Sequence, residues 1–89
     1  MALSADILER VRSDFRERDR ERAITLLDGY SGPGDDRVLR CALFLSAGTL
    51  EKLEHFLRVA EADYRDVILF AEYDGNDQRV RDFSRGFNH

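Results

Sequence analysis

The sequence has little of what stabilises small secreted domains. It contains one cysteine, one proline and no tryptophan, so no disulfide can form within these 89 residues. Lys52 is the single lysine among 14 basic residues, and 18 acidic residues bring the net charge to −4. A general nucleic-acid binder needs excess cations to release counterions from phosphate. The composition therefore argues against that class.

A long apolar run is also missing. The most apolar stretch, residues 38–45 (V-L-R-C-A-L-F-L), is far shorter than the roughly 20 residues that a membrane-spanning helix requires. Residues 1–6 have neither the basic region nor the apolar region of a signal peptide. We therefore expect a cytoplasmic protein that makes no contact with a membrane.

What the sequence does contain is helical periodicity. At about 100° per residue, the apolar side chains of 38–45 surround nearly the whole helix, and only a narrow edge with Arg37 and Arg40 is left for water. This segment is predicted to be the central, buried helix. The predicted fold class is all-α: one domain, 1–89, forming a compact irregular bundle of about five short helices. The predicted helices are 5–15, 19–30, 36–47, 50–61 and 64–73, with an irregular C-terminal tail over 74–89.

The boundaries come from breaks in the pattern. Signs of charge alternate through residues 16–22 and the apolar phase then shifts, which favours two helices, although one long helix over 5–30 remains an alternative. Residues 29–34 hold three glycines and the proline, which are typical of a turn. Gly48 suits a left-handed position after the third helix, and Asp63 suits the cap of a fifth helix.

Two segments carry a family resemblance. Residues 45–53 (L-S-A-G-T-L-E-K-L) and 63–74 (D-Y-R-D-V-I-L-F-A-E-Y-D) resemble a small uncharacterised bacterial α-helical protein family. The likeness covers residues 38–74. It implies an all-helical fold and carries no activity with it.

The sequence offers no catalytic constellation. His55 lies on the polar face of its helix, and Cys41 lies inside the buried helix with no histidine placed to act as its base. Residues 74–77 faintly resemble a calcium loop, but Arg79 and Arg85 stand where an EF-hand needs glycine and glutamate. We therefore expect no enzyme activity, no catalytic residue, no cofactor, no metal and no small-molecule substrate.

One feature indicates a function. The fifth predicted helix carries a second apolar set, and the tail adds aromatic residues and arginines, which are favoured at protein interfaces. Either the tail folds back and completes the core, or the region docks another protein or a second copy of the chain. The hypothesis is a small protein-interaction domain whose contact surface lies around 69–87. Its predicted contact residues are Leu69, Phe70, Tyr73, Arg81, Phe83 and Phe87.

Two other classes of function stay open at this point. The tail arginines, interleaved with phenylalanines that can stack on bases, are compatible with a nucleic-acid-associated regulator. An enzyme whose site is assembled from residues distant in sequence is the other alternative.

Overall fold

The computed structural model describes residues 3–32, 35–76 and 78–87, apart from the side chains of Asp35 and Arg85. The chain forms the helices α1 (Ala5–Asp14), α2 (Glu17–Asp28), α3 (Asp35–Ser46) and α4 (Leu50–Glu72), followed by a 3₁₀ turn at Phe83–Arg85. The predicted all-α class is thus confirmed for the described residues. Their packing is tight, with a Cα radius of gyration of 12.0 Å.

The charged run after α1 contains a real break. Phe15 is extended, with φ −107° and ψ 146°, and so is Arg16. Arg20 closes the break: its Nε donates to the backbone oxygen of Phe15 at 3.2 Å and its Nη2 to that of Arg12 at 3.0 Å. These bonds satisfy carbonyl groups that the end of α1 leaves without a helical partner. The chain therefore has two helices here, and the single long helix is ruled out.

Helix α3 lies at the centre of the core and packs most extensively against α4. Both arginines on its polar edge depart from the prediction, because neither is simply exposed to water. Arg40 is 12% exposed and Arg37 34%, and each is paired with a carboxylate. The buried apolar residues of the core are Ile7, Val11, Phe15, Ala23, Leu27, Val38, Leu39, Cys41, Ala42, Leu43, Leu53, Leu57, Ala60, Val67, Ala71 and Phe83.

A left-handed turn joins α3 to α4. Ala47 has φ +50° and Gly48 has φ +81°, the conformation that favours glycine after a helix. A Cβ atom added to Gly48 would overlap the backbone oxygen of Asp14 at the end of α1. Glycine is thus required here both by the backbone conformation and by the close approach of another helix.

The predicted count of about five helices is too high by one. The segments predicted as 50–61 and 64–73 are two halves of α4, which continues through a kink. At the kink Asp63 is non-helical, with φ −156° and ψ 98°, and its Oδ1 accepts from the backbone N of Arg65 at 3.1 Å. Asp63 therefore caps the second half as predicted, but a single non-helical residue does not separate the helices.

The tail folds back onto the helices. An isolated antiparallel bridge joins Tyr73 to Arg79, and the backbone N of Val80 donates to the oxygen of Glu72 at 2.7 Å. The 3₁₀ turn then packs against α3. Of the two accounts that the sequence leaves open, the structure shows the tail completing part of the core.

Candidate interaction surface

The predicted contact residues do not lie together on one surface. Leu69 and Phe70, near the end of α4, are 45% and 55% exposed. Phe83, by contrast, is 5% exposed and belongs to the core. Tyr73 and Phe87 are partly buried, and Arg81 is exposed.

Leu69, Phe70 and Tyr73 share one face of α4, which we call the α4 patch. At about 100° per residue, the centre of this face is turned about 130° from the side on which Val67 and Ala71 are fully buried. Tyr73 is the residue that ends the helix, and it is partly buried. The patch is therefore an apolar area that the chain leaves in contact with water at the end of its longest helix.

The aromatic residues of the tail, unlike Leu69 and Phe70, pack against other residues of the chain. The ring of Phe83 lies 5.4 Å from that of Phe44 and 5.4 Å from that of Phe87, measured between centroids. Arg10 stacks over Phe87 at 4.7 Å, and Arg81 over Phe44 at 4.4 Å. These contacts are cation–π interactions within the chain. Three of the six predicted residues, Arg81, Phe83 and Phe87, are thus engaged in holding the tail.

The tail is anchored on Glu72, a glutamate with 0% exposure that the sequence analysis did not single out. Arg37 binds its carboxylate through two nitrogens, at 3.0 Å to Oε2 and 2.7 Å to Oε1. Arg79 approaches Oε1 at 3.3 Å, and the backbone N of Phe83 donates to Oε2 at 3.1 Å. One buried carboxylate therefore connects α3, α4 and the tail.

The ionisation of this cluster follows from its partners. Burial by itself would raise the pKa of Glu72, but the hydrogen bonds from Arg37 and Phe83 and the charges of Arg37 and Arg79 outweigh burial and lower it. Burial, together with the charge of Glu72, raises the pKa of Cys41 to about 12. The Cys41 thiol lies 3.7 Å from Oε2 of Glu72. Glu72 is thus a fixed anion and Cys41 a neutral thiol.

A second ion pair fixes the tail to α1. Nε of Arg40 lies 2.7 Å from Oδ2 of Asp6, and its Nη1 donates to the backbone oxygen of Phe83 at 3.0 Å. The hydrogen bond from Arg40 is the main reason why the pKa of Asp6 is lowered. Phe83 is therefore held through its N–H by Glu72 and through its C=O by Arg40.

Acid should weaken this anchoring. Because the pKa of Glu72 is lowered in the folded state, its contribution to stability is fully present above the ordinary glutamate pKa of about 4.3 and is lost as the pH falls through the folded-state value. We expect the urea midpoint to drop as the pH is lowered from about 5 to 3. A Glu72→Gln variant should show a shallower pH dependence, since Asp6 and other carboxylates supply the rest. Equal slopes would contradict this role of Glu72.

The other residues considered from the sequence gain no chemistry from the fold. His55 is exposed, and its ring makes an edge contact with Phe56 at 5.0 Å. Within the described ranges there is no group of three or more histidine, cysteine, aspartate or glutamate residues that could hold a metal ion. Those ranges also include no helix long and apolar enough to cross a membrane.

Comparison with known proteins gives the chain no relative. Neither a family model nor a curated protein nor a solved structure matches it. The assignment of a function therefore depends on the residues described above.

Proposed function

We propose that this chain is a small, cytoplasmic, non-catalytic protein-interaction domain and that its contact surface is the α4 patch. The observation that carries the proposal is the exposure of Leu69 and Phe70, 45% and 55%, side by side on a helix whose opposite face is buried. An apolar cluster of this kind is typical of a surface that another protein covers. The predicted contact surface narrows accordingly from 69–87 to the end of α4.

Two groups of kinds that enzymes use, a carboxylate and a thiol, are committed to the fold. The Glu72 carboxylate is an anion held by Arg37, Arg79 and the backbone of Phe83, and the pKa of the Cys41 thiol is raised to about 12. General acid–base catalysis needs a group that titrates near the working pH, and a nucleophilic cysteine needs a lowered pKa. Both observations favour a non-catalytic role.

The nucleic-acid alternative gains no support from Arg79 and Arg81, the tail arginines whose side chains the structure describes. Arg79 pairs with Glu72 at 3.3 Å and with Asp82 at 2.8 Å. Arg81 donates to the backbone oxygen of Ala71 at 3.2 Å and covers Phe44. Cations that are already paired within the chain release fewer counterions from a nucleic acid.

A contact residue and a core residue should respond differently to substitution. We expect Phe70→Asp to change the free energy of unfolding by no more than about 0.5 kcal/mol, as is usual at exposed positions. Phe83→Asp should prevent stable folding, because it buries a charge among Phe44 and Phe87. Urea unfolding of both variants, at low micromolar concentration, checks this. A large loss of stability in Phe70→Asp would show that Phe70 belongs to the core and would contradict the proposal.

Crosslinking tests the contact surface itself. The photoreactive analogue benzoylphenylalanine, placed at Phe70, should crosslink to a protein in cells that produce the chain, and Leu69→Asp should suppress the product. The same analogue at Arg18, an exposed position on α2, is the matched control. If position 70 gives no more product than position 18, the α4 patch is not a contact surface.

A further inference from the structure

A hydrogen-bond acceptor lies just before the α4 patch, and Tyr73, the last residue of the patch, carries a hydrogen-bond donor. Asp66 precedes Leu69 on the same face of the helix and is exposed. Among the described residues, the Asp66 carboxylate interacts with the charge of Arg65, but neither this carboxylate nor the Tyr73 hydroxyl has a hydrogen-bond partner. In chain order, this face therefore carries a hydrogen-bond acceptor (Asp66), two apolar residues (Leu69 and Phe70) and a hydrogen-bond donor (Tyr73).

This order is symmetric about a point between Leu69 and Phe70. An antiparallel copy of the helix, related by a two-fold axis through that point, places Leu69 and Phe70 of both copies at one level, because neighbouring residues differ by only about 1.5 Å in height. The same axis brings Asp66 of each copy opposite Tyr73 of the other. The side chains of Asp66, Leu69, Phe70 and Tyr73 fall within about 120° of one another around the helix, so one face holds all four.

We propose that a second copy of this chain docks on the α4 patch in this antiparallel arrangement. Leu69 and Phe70 of both copies form the apolar centre, and at each end a hydrogen bond runs from the Tyr73 hydroxyl of one copy to Asp66 of the other. The inference rests on the proposed function and names the partner. A two-fold interface uses the same patch on both chains, which is what a self-complementary order of groups provides.

Within one chain, Asp66 and Tyr73 cannot be hydrogen-bonded to each other. Asp66 and Tyr73 are separated by about 10 Å along the helix, too far for a direct hydrogen bond. An unrelated partner would have to supply a donor for Asp66 and an acceptor for Tyr73 from its own surface. A second copy supplies both without any further residue. The patch is small, and association is therefore expected to be weak and concentration-dependent.

A double-mutant cycle on the full chain tests the arrangement. Sedimentation equilibrium would measure the dimer dissociation constant of the unaltered chain, Asp66→Ala, Tyr73→Phe and the double variant. Each single change should weaken dimerisation by at least about tenfold, because each dimer loses two hydrogen bonds to a charged group. The double variant should be little weaker than either single one, since the same bonds are removed. Tyr64→Phe, the same chemical change outside the patch, should leave the dissociation constant unchanged.

The outcomes separate this inference from the proposed function. Additive effects of the two changes, or a Tyr64→Phe effect equal to that of Tyr73→Phe, would overturn the antiparallel pairing. A chain that stays at 10.3 kDa up to about 1 mM would overturn docking of a second copy. If position 70 still crosslinked to a different protein, the proposed function would stand and only the choice of partner would be wrong. Circular dichroism of each variant checks that the helices are retained.

Discussion

Replacing Glu72 with alanine is expected to lower the free energy of unfolding by about 3–5 kcal/mol. The change removes the anion that faces Arg37 and Arg79 and leaves the backbone N–H of Phe83 without its acceptor. The cost is large because Glu72 itself is fully buried, and its removal leaves Arg37, 34% exposed, without its bidentate partner and the buried N–H of Phe83 unsatisfied. For a domain of this size that is a large share of the total stability of about 5–10 kcal/mol.

The matched control is Glu61→Ala, which changes an exposed glutamate on the same helix. It should alter the free energy of unfolding by about 0.5 kcal/mol or less. Urea unfolding at pH 7 would measure both variants, and amide exchange at Phe83 would show whether the tail has detached. A loss below about 1 kcal/mol for Glu72→Ala would mean that the carboxylate does not anchor the tail.

The second large effect is expected at Gly48. Gly48→Ala should destabilise the fold by about 2–4 kcal/mol, for two independent reasons. A left-handed conformation costs a residue with a Cβ atom about 1–2 kcal/mol, and Gly48 has φ +81°. The new methyl group would also overlap the backbone oxygen of Asp14, and crowding in a packed region costs about 1–3 kcal/mol.

Gly75→Ala is the control for this substitution. Gly75 lies in the turn at the start of the tail, and an added Cβ there meets nothing within 4 Å. Its effect on the thermal midpoint should therefore be small, whereas Gly48→Ala should lower the midpoint by several degrees per kcal/mol lost. Equal midpoints for the two variants would show that α1 can move away from the turn at little cost.

The sequence predicted those parts of the fold that depend on neighbouring residues. The apolar residues of 38–45 identified the central helix because their pattern fills almost the whole circumference. Asp63 was predicted as a cap, and its side chain does bond to the backbone of Arg65. The predicted number of helices was wrong, and the reason is also local. Asp63 caps the second half of α4 and kinks the helix there without ending it.

The tail could not be placed from the sequence, because its position depends on residues far apart in the chain. Glu72 reads as an ordinary polar residue near the end of a helix. Its partners, Arg37 and the backbone of Phe83, lie 35 positions before it and 11 after it, and no periodicity links them. The one signal was that Arg37 and Arg40 border the most apolar helix, where an arginine that is not fully exposed needs an anion.

In the candidate site, too, the sequence predicted what depends on neighbouring residues and missed what depends on residues far apart in the chain. Leu69 and Phe70 were predicted as contact residues because both point away from the buried side of one helix, a local property, and both are exposed. Phe83 and Phe87 were grouped with them by composition alone, although Phe83 is buried against α3. The structure therefore separates residues that hold the tail from residues whose side chains stay exposed.

The solution mass of the chain tests the central claim most directly. Light scattering across concentrations from about 10 μM to 1 mM should show the mass rising from 10.3 kDa towards twice that value, as expected for a weak interface. Leu69→Asp should remain at 10.3 kDa throughout. A mass of 10.3 kDa for the unaltered chain at every concentration, or a dimer that Leu69→Asp leaves intact, would contradict the docking of a second copy on the α4 patch.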